Sequence, residues 1–308
     1  MCACAVGSRS SLSYVEETTF GTTPVGNFTE LPYNTHSLDL TKERVAGNQI
    51  RKDRLPVTDR HGNKQVAGDI VADLANAEFD PFLESALLGE FTSDVLDVGT
   101  TPKFFSIEDY ASDIDQSRVF SGCTVSTMAI SLAPNQMVTT TFTMVGKDMV
   151  QSQTEKTITA SAAEVPFDSY SGDILVGDAE GTLNAIGTVT QLDFTVNNGF
   201  TPSFVVGSDS VACMPYGMAV IEGTLTCHYD DDSLINRFVN EVETALSVSV
   251  NDPSGDNEYT FFFPRIKLNG ATVPVGGPEI RLIEIPFVAL GDISEGTNLR
   301  ITRPTVAP

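Results

Sequence analysis

A set of short features that recurs half a chain apart constrains this sequence more than any other property. Leu38-Asp39-Leu40-Thr41 returns as Leu192-Asp193-Phe194-Thr195, 154 residues later. Gly68-Asp69-Ile70-Val71 returns as Gly223-Thr224-Leu225-Thr226 after 155 residues. Each of these Gly-led segments runs on into a short stretch with helical spacing. Phe142 and Gly146 then return as Phe287 and Gly291 after 145 residues. The order is the same in both halves, so the pattern predicts a duplicated unit. A length of 308 residues suits two units of about 150 each.

The elements within each half are short. Phe79, Phe82, Leu83, Ala86 and Leu87 follow i, i+3, i+4, i+7, i+8 spacing, which places them on one helix face. Asn76 is the expected N-cap, Pro81 falls in the first turn, and Gly89 is the expected stop. Ile235, Phe238, Val239 and Val242 repeat the pattern in the second half, with Asp231 or Asp232 as its cap. Both sets are read as the buried face of a helix lying on a sheet. The rest reads as strands: 124–132, 137–145, 245–250, 259–268 and 280–290, with a turn over 251–256. In 245–250 the residues Leu246, Val248 and Val250 share one face. Residues 151–187 are polar and Ser/Gly-rich and are read as a linker or hairpin, with a strand near Ile174-Leu175-Val176.

Apolar residues at 41% are enough for real cores, and charged residues at 19% exclude a disordered chain. The net charge of −23 excludes a sequence reader of duplex DNA, which needs a basic surface. Five cysteines (2, 4, 123, 213 and 227) form neither a disulfide framework nor a zinc set. Cys123, Cys213 and Cys227 sit in strand-like surroundings and are expected to be buried and inert. The start lacks the charged and apolar regions of a secretory signal, and no apolar run is long enough to span a bilayer. The expectation is a protein assembled in the cytoplasm, without membrane insertion.

One segment breaks the charge pattern. Residues 41–65 hold Lys42, Arg44, Arg51, Lys52, Arg54, Arg60 and Lys64, seven of the 18 basic residues. Their acids are only Glu43, Asp53 and Asp59, so the segment is +4 and the remainder −27. It is read as a long loop between strands at Leu38 and Ile70. Such a loop is either a solvated flap or an arm that docks on the acidic body of another copy.

No constellation for chemistry stands out. His36, His61 and His228 fit no zinc-hydrolase spacing, and neither a nucleophile elbow nor a phosphate-binding glycine loop occurs. His228-Tyr229-Asp230-Asp231-Asp232 lacks the spaced register of a calcium loop, and helix capping explains it with less. Asp252 and Asp256 flank an ordinary turn. No catalytic residue, metal or cofactor is expected.

The opening Ser10-Ser11-Leu12-Ser13-Tyr14-Val15-Glu16-Glu17-Thr18-Thr19-Phe20-Gly21-Thr22-Thr23-Pro24 resembles the start of tail tube proteins of siphophages, the long-tailed non-contractile bacteriophages. Leu31-Pro32-Tyr33, Ser37-Leu38-Asp39-Leu40 and residues 59–70 extend the resemblance. Gly223 to Thr226 and Phe262-Phe263-Pro264-Arg265-Ile266-Lys267-Leu268 carry it into the second half.

The resemblance implies a mainly β protein of two tandem tail-tube-type modules. Each is a β-sandwich or split barrel with one flanking helix and extended loops or arms. The first module is 1–150, with an N-terminal arm and the long basic loop (41–66). Residues 151–187 are the linker, and 188–308 form the second module with a C-terminal arm. The implied function is structural. Copies self-associate into stacked rings that form a hollow tail, enclose the tape-measure protein and conduct double-stranded DNA. Tail terminator and distal tail proteins are the implied partners at its ends, and the virion tail is the location. An acidic lumen lets DNA slide without being held. Two modules per chain imply homotrimeric, pseudo-hexameric rings; six chains per ring, one module decorating the outside, is the rival. Family members extend such loops toward the next ring, so the seven basic residues are expected to make the inter-ring contact. An extracellular adhesin or carbohydrate-binding β-sandwich remains the alternative from another class.

Overall fold

A computed structural model describes residues 4–178, 183–185, 188–255 and 257–303. The chain opens with β1 (Ser10–Glu16), β2 (Phe28–Glu30) and β3 (Thr35–His36), then the hairpin strands β4 (Asp39–Ala46) and β5 (Asp59–Asp73). Helix α1 (Asp80–Leu87) and β6 (Val95–Asp97) precede β7 (Phe105–Ala111), β8 (Gln116–Leu132), β9 (Thr139–Gly146) and β10 (Asp148–Ser152). Short strands β11 (Ile158–Thr159), β12 (Ile174–Asp178) and β13 (Asn184–Ala185) lead to β14 (Val189–Asn197) and β15 (Val220–His228). After α2 (Ser233–Val239) come β16 (Thr244–Asn251), β17 (Glu258–Leu268), β18 (Leu282–Ala289) and β19 (Arg300–Thr302). The protein is therefore mainly β, as expected.

The described strands join into one open sheet that branches along β8. This strand is too long to serve one layer. Its first part pairs with β7 and β10, and its second part with β9 and β14. Gly122 stands where the partners change, with φ +65°. A Cβ there would lie 2.9 Å from Phe20 Cε2, so the kink needs glycine both for its dihedral and for space. Gly68 does the same for β5, which leaves β4 after Ala67 and meets β3 at Ile70. A Cβ on Gly68 would lie 2.4 Å from the Ser37 carbonyl oxygen.

The strand order itself repeats. β4–β5–β9–β8 are neighbours in that order, and β14–β15–β18–β17 follow the same order. Flanking strands repeat too: β1 lies beside β7 as β12 lies beside β16, and β10 lies beside β8 as β19 lies beside β17. The two rows of four are joined directly, because β8 pairs with β14 from Leu132↔Leu192 to Thr127↔Asn197.

The largest cluster of buried side chains runs through both halves. α1 contributes Phe82, Leu83, Ala86 and Leu87, with Phe79 just before it, all buried as their spacing predicts. Phe82 stacks on Phe105 at 4.9 Å between centroids. The expected cap does not form: Asn76 instead donates to Asn257 Oδ1 at 2.9 Å, and the helix starts after Phe79. It ends at Leu88, which takes the left-handed conformation one residue before Gly89.

The second helix departs further from its pattern. Leu234, Ile235 and Phe238 are half-buried against the core, but Val239 is 65% exposed and Val242 37%. Val242 lies beyond the helix end, where helical spacing no longer sets its direction. Asp232 occupies the N-cap position without a side-chain capping bond, and Asp231 accepts from the Ser233 N–H at 2.8 Å in the turn before the helix.

Two other expectations change and one holds. The segment read as a basic loop is mostly the β4–β5 hairpin, leaving only 47–58 outside strands. The strand expected near Ile174–Val176 is present as β12, which pairs with β16, and Phe167 in the same stretch is fully buried. Cys213 is exposed, while Cys123 and Cys227 are buried as expected. Cys2, part of the expected linker (179–182, 186–187) and the end of the C-terminal arm (304–308) lie outside the described residues.

Candidate assembly surfaces

The outer part of the hairpin, residues 41–61, has its side chains in solvent on both faces, while Gly62 to Gln65 are half-buried and Val66 is buried. A register shift between Lys42 and Arg44 twists it, and Gly47 N–H to Thr58 O at 2.9 Å closes the base of its tip. The seven basic residues separate into two groups. Lys64, half-buried, pairs with Asp148 at 2.9 Å and Asp209 at 3.8 Å, and the Asp148 contact raises its pKa. Arg44 pairs with Asp59 and Arg51 with Asp53, each at 2.7 Å. The Arg51 guanidinium holds the Asp53 carboxyl below its ordinary value. Lys42, Lys52, Arg54 and Arg60 make no ion pair among the described residues. Val45, Ile50, Leu55 and Val57 lie exposed among these charges, and Ile50 is fully exposed at 102%. A charge count reveals the cations but not these apolar neighbours.

The row of eight strands has two open ends. Among the described residues β4 pairs on one side only, with β5. At the other end, residues 269–272 continue beside β18: Asn269 N–H donates to Pro286 O at 2.8 Å, and Thr272 and Glu284 exchange two bonds at 3.0 Å. Their outer edge meets no strand among the described residues. Unpaired edges of this kind are templates for another chain.

A third surface is already occupied. The segment between β14 and β15 folds back on the first half. Phe200, Val211 and Met214 pack with Leu88, just past α1, and with Phe20, Phe104 and Val145. Asn198 donates to the Ala86 carbonyl at 2.8 Å, Tyr216 to the Thr100 carbonyl at 2.8 Å, and the Lys64 N–H to the Asp209 carbonyl at 2.7 Å.

Sequence comparison bears on what such surfaces are for. The family described as phage tail tube protein matches the chain over residues 7–289. The chain belongs to that family. A search of the curated proteins finds no match. A tail tube protein is a structural component of the virion tail that self-assembles into a tube.

The polar interior of this tail tube protein suits that role. Glu17 Oε1 accepts from the Ser106 hydroxyl at 2.6 Å and the Gly122 N–H at 2.8 Å, while Oε2 accepts from the Gly21 N–H at 2.6 Å. Glu108 accepts from the Ser117 hydroxyl at 2.6 Å and the Lys156 N–H at 3.1 Å. Both carboxylates are spent on holding segments together. A cleft of about 420 Å³ between 132–135, 168–174 and 189–192 holds Asp168, whose Oδ1 caps the turn at Tyr170 and Ser171. Asp252 likewise closes its own turn through Ser254, Gly255 and Asn257. Burial pushes the Cys227 thiol up to about 11, with Asp230 adding to the shift. Among the described residues no group of three His, Cys, Asp or Glu is placed to hold a metal, and no helix is long and apolar enough to cross a membrane.

Proposed function

We propose that this tail tube protein is a protomer of two duplicated modules, residues 1–150 and 188–308, and that three copies close a pseudo-hexameric ring of a non-contractile phage tail. The observation that carries this reading is the β8–β14 pair. It splices two rows of identical strand order into one and leaves a free edge at each end. The same splice made between copies joins the edge beyond β17 to β4 of the next chain. Three copies then form a closed barrel with no exposed edge, which removes the hazard of free edges. Rings stack into a tube that encloses the tape-measure protein and later conducts DNA, and the tail terminator and distal tail proteins meet its two ends. A wall drawn from a chain of net charge −23 repels phosphate and lets the duplex slide.

The basic hairpin is the contact through which copies hold one another, with Arg51, Lys52, Arg54 and Arg60 facing acids of another chain. Exposed pairs are individually worth about 0–1 kcal/mol, so they matter through repetition around a ring. Electron cryomicroscopy of tubes assembled from the purified chain tests the stoichiometry. Three chains per ring are expected; six chains per ring would sink the pseudo-hexamer, and discrete monomers would sink the tube.

A further inference from the structure

We infer that the cleft between 132–135, 168–174 and 189–192 binds a short aliphatic diamine, with Asp168 holding one ammonium group and Asp173 the other. The site lies within one chain and does not depend on how copies assemble. Unpaired oxygens point to it. Six buried side-chain nitrogen or oxygen atoms lack a hydrogen-bond partner among the described residues, and three of them belong to this corner. Asp168 lines the cleft and is only 5% exposed. Its Oδ1 accepts from the Tyr170 and Ser171 N–H groups, but its Oδ2 has no donor. The hydroxyl of Ser169, which also lines the cleft, has no partner. Asn251 accepts from the Asp168 N–H at 3.4 Å through its backbone carbonyl and leaves its side-chain Oδ1 unmatched. Buried polar groups are nearly always paired, and a buried carboxylate oxygen without a donor marks the place of a missing ion or ligand.

The chemistry of the lining narrows what that ligand is. No Lys, Arg or His lines the cleft, and Asp173 adds a second, exposed carboxylate. Ser249 fixes Asp173 in place: the Asp173 N–H donates to the Ser249 hydroxyl at 3.0 Å, and the Ser249 N–H donates to the Asp173 carbonyl at 2.9 Å. The ligand must therefore bring both donors and positive charge. Water brings donors without the charge. A calcium ion wants about six to eight oxygens, and this lining has no third carboxylate. A primary ammonium brings donors on one compact cation. The remaining walls are largely apolar, with Leu132, Ile174, Val189 and Val250 among them, and suit a polymethylene stem. The volume of about 420 Å³ falls within the range of small-ligand sites. Two carboxylates and apolar walls together call for a cation at each end of a short stem.

The test is calorimetric titration of the full chain with 1,4-diaminobutane, with butane-1,4-diol as its neutral counterpart and calcium chloride as the metal arm. Saturable binding of one diamine per chain is expected, with no heat from the diol. Asp168→Asn keeps an oxygen for the Tyr170 and Ser171 N–H groups while removing the charge, and it should weaken binding by about tenfold or more. Asp173→Asn should weaken it by a smaller factor. Equal affinity in the parent and both variants overturns the inference, because it shows diffuse attraction to a chain of net charge −23. No binding of the diamine overturns it too, as does saturation by calcium with the diamine silent. Thermal melts supply a second readout if Asp168→Asn folds poorly. The diamine should raise the melting temperature of the parent chain, the diol should not, and Asp173→Asn should reduce the shift. A shift that is the same for diamine and diol overturns the inference.

Discussion

Single residues in this protein act mostly by tying distant segments together. Glu17 joins its own strand end to Ser106 and to the kink at Gly122, and it is nearly buried while doing so. Removing the carboxylate strands three donors, two of them backbone N–H groups. Hydrogen bonds to charged groups contribute about 1.5–3 kcal/mol each, but not additively. Glu17→Ala should therefore lower the unfolding free energy by about 2–4 kcal/mol, read from urea melts of unassembled chain. A change under about 0.5 kcal/mol would show that water replaces the carboxylate. The thiols offer a second check. A thiol raised to about 11, as at Cys227, stays protonated at pH 8 and is shielded as well. Cys213 is exposed. Iodoacetamide at pH 8 should label Cys213 in the native chain and Cys123 and Cys227 only after denaturation, as mapped by peptide mass spectrometry.

At the scale of elements, β8 decides the architecture, because it serves two layers and both halves of the chain. Its kink can be tested against another glycine. Gly122→Ala adds a Cβ against Phe20 and Lys147 at a left-handed position, whereas Gly255, φ +76°, has open space around it. The left-handed conformation alone costs an alanine about 1–2 kcal/mol, and overpacking adds about 1–3 more. Gly122→Ala should therefore destabilise clearly more than Gly255→Ala in thermal melts, and equal losses would argue that β8 bends without its glycine. Residue pattern makes some elements legible and hides others. β16 to β18 and α1 could be read because burial imposes a period on them. The outer β4–β5 hairpin, residues 41–61, could not, since with both faces in water nothing selects inward from outward residues, and its charges resemble a loop. The α2 pattern misled for a related reason: Val239 and Val242 keep the apolar spacing while facing solvent. Apolar spacing alone does not show that the same chain covers the surface. The repeat was visible through the Gly-led segments; the β8–β14 splice was not, because pairing between strands sixty residues apart leaves no local signature.

For the whole molecule, assembly must overcome the repulsion between bodies of net charge −23. Two electrostatic effects oppose each other. In the proposed contact, the basic hairpin attracts acidic neighbours at short range, through pairs worth about 0–1 kcal/mol each. The −27 remainder repels over the whole facing surface. Salt weakens both, but not equally. At about 0.1 M ionic strength the Debye length is about 10 Å, which removes most of the repulsion between exposed charges farther apart than that. A contact pair near 3 Å is screened less, and burial of the exposed Ile50, Leu55 and Val57 in such a contact would not be screened at all. Raising NaCl from about 20 mM to about 300 mM should therefore speed polymerisation. Light scattering at fixed protein concentration measures it. Slower growth in salt would mean that hairpin ion pairs outweigh body repulsion. In that case Arg51→Glu with Lys52→Glu, which removes the pairs and leaves the repulsion, should reverse the salt dependence. If growth quickens as expected, the same variant should still polymerise faster in salt than without it, from a lower starting rate.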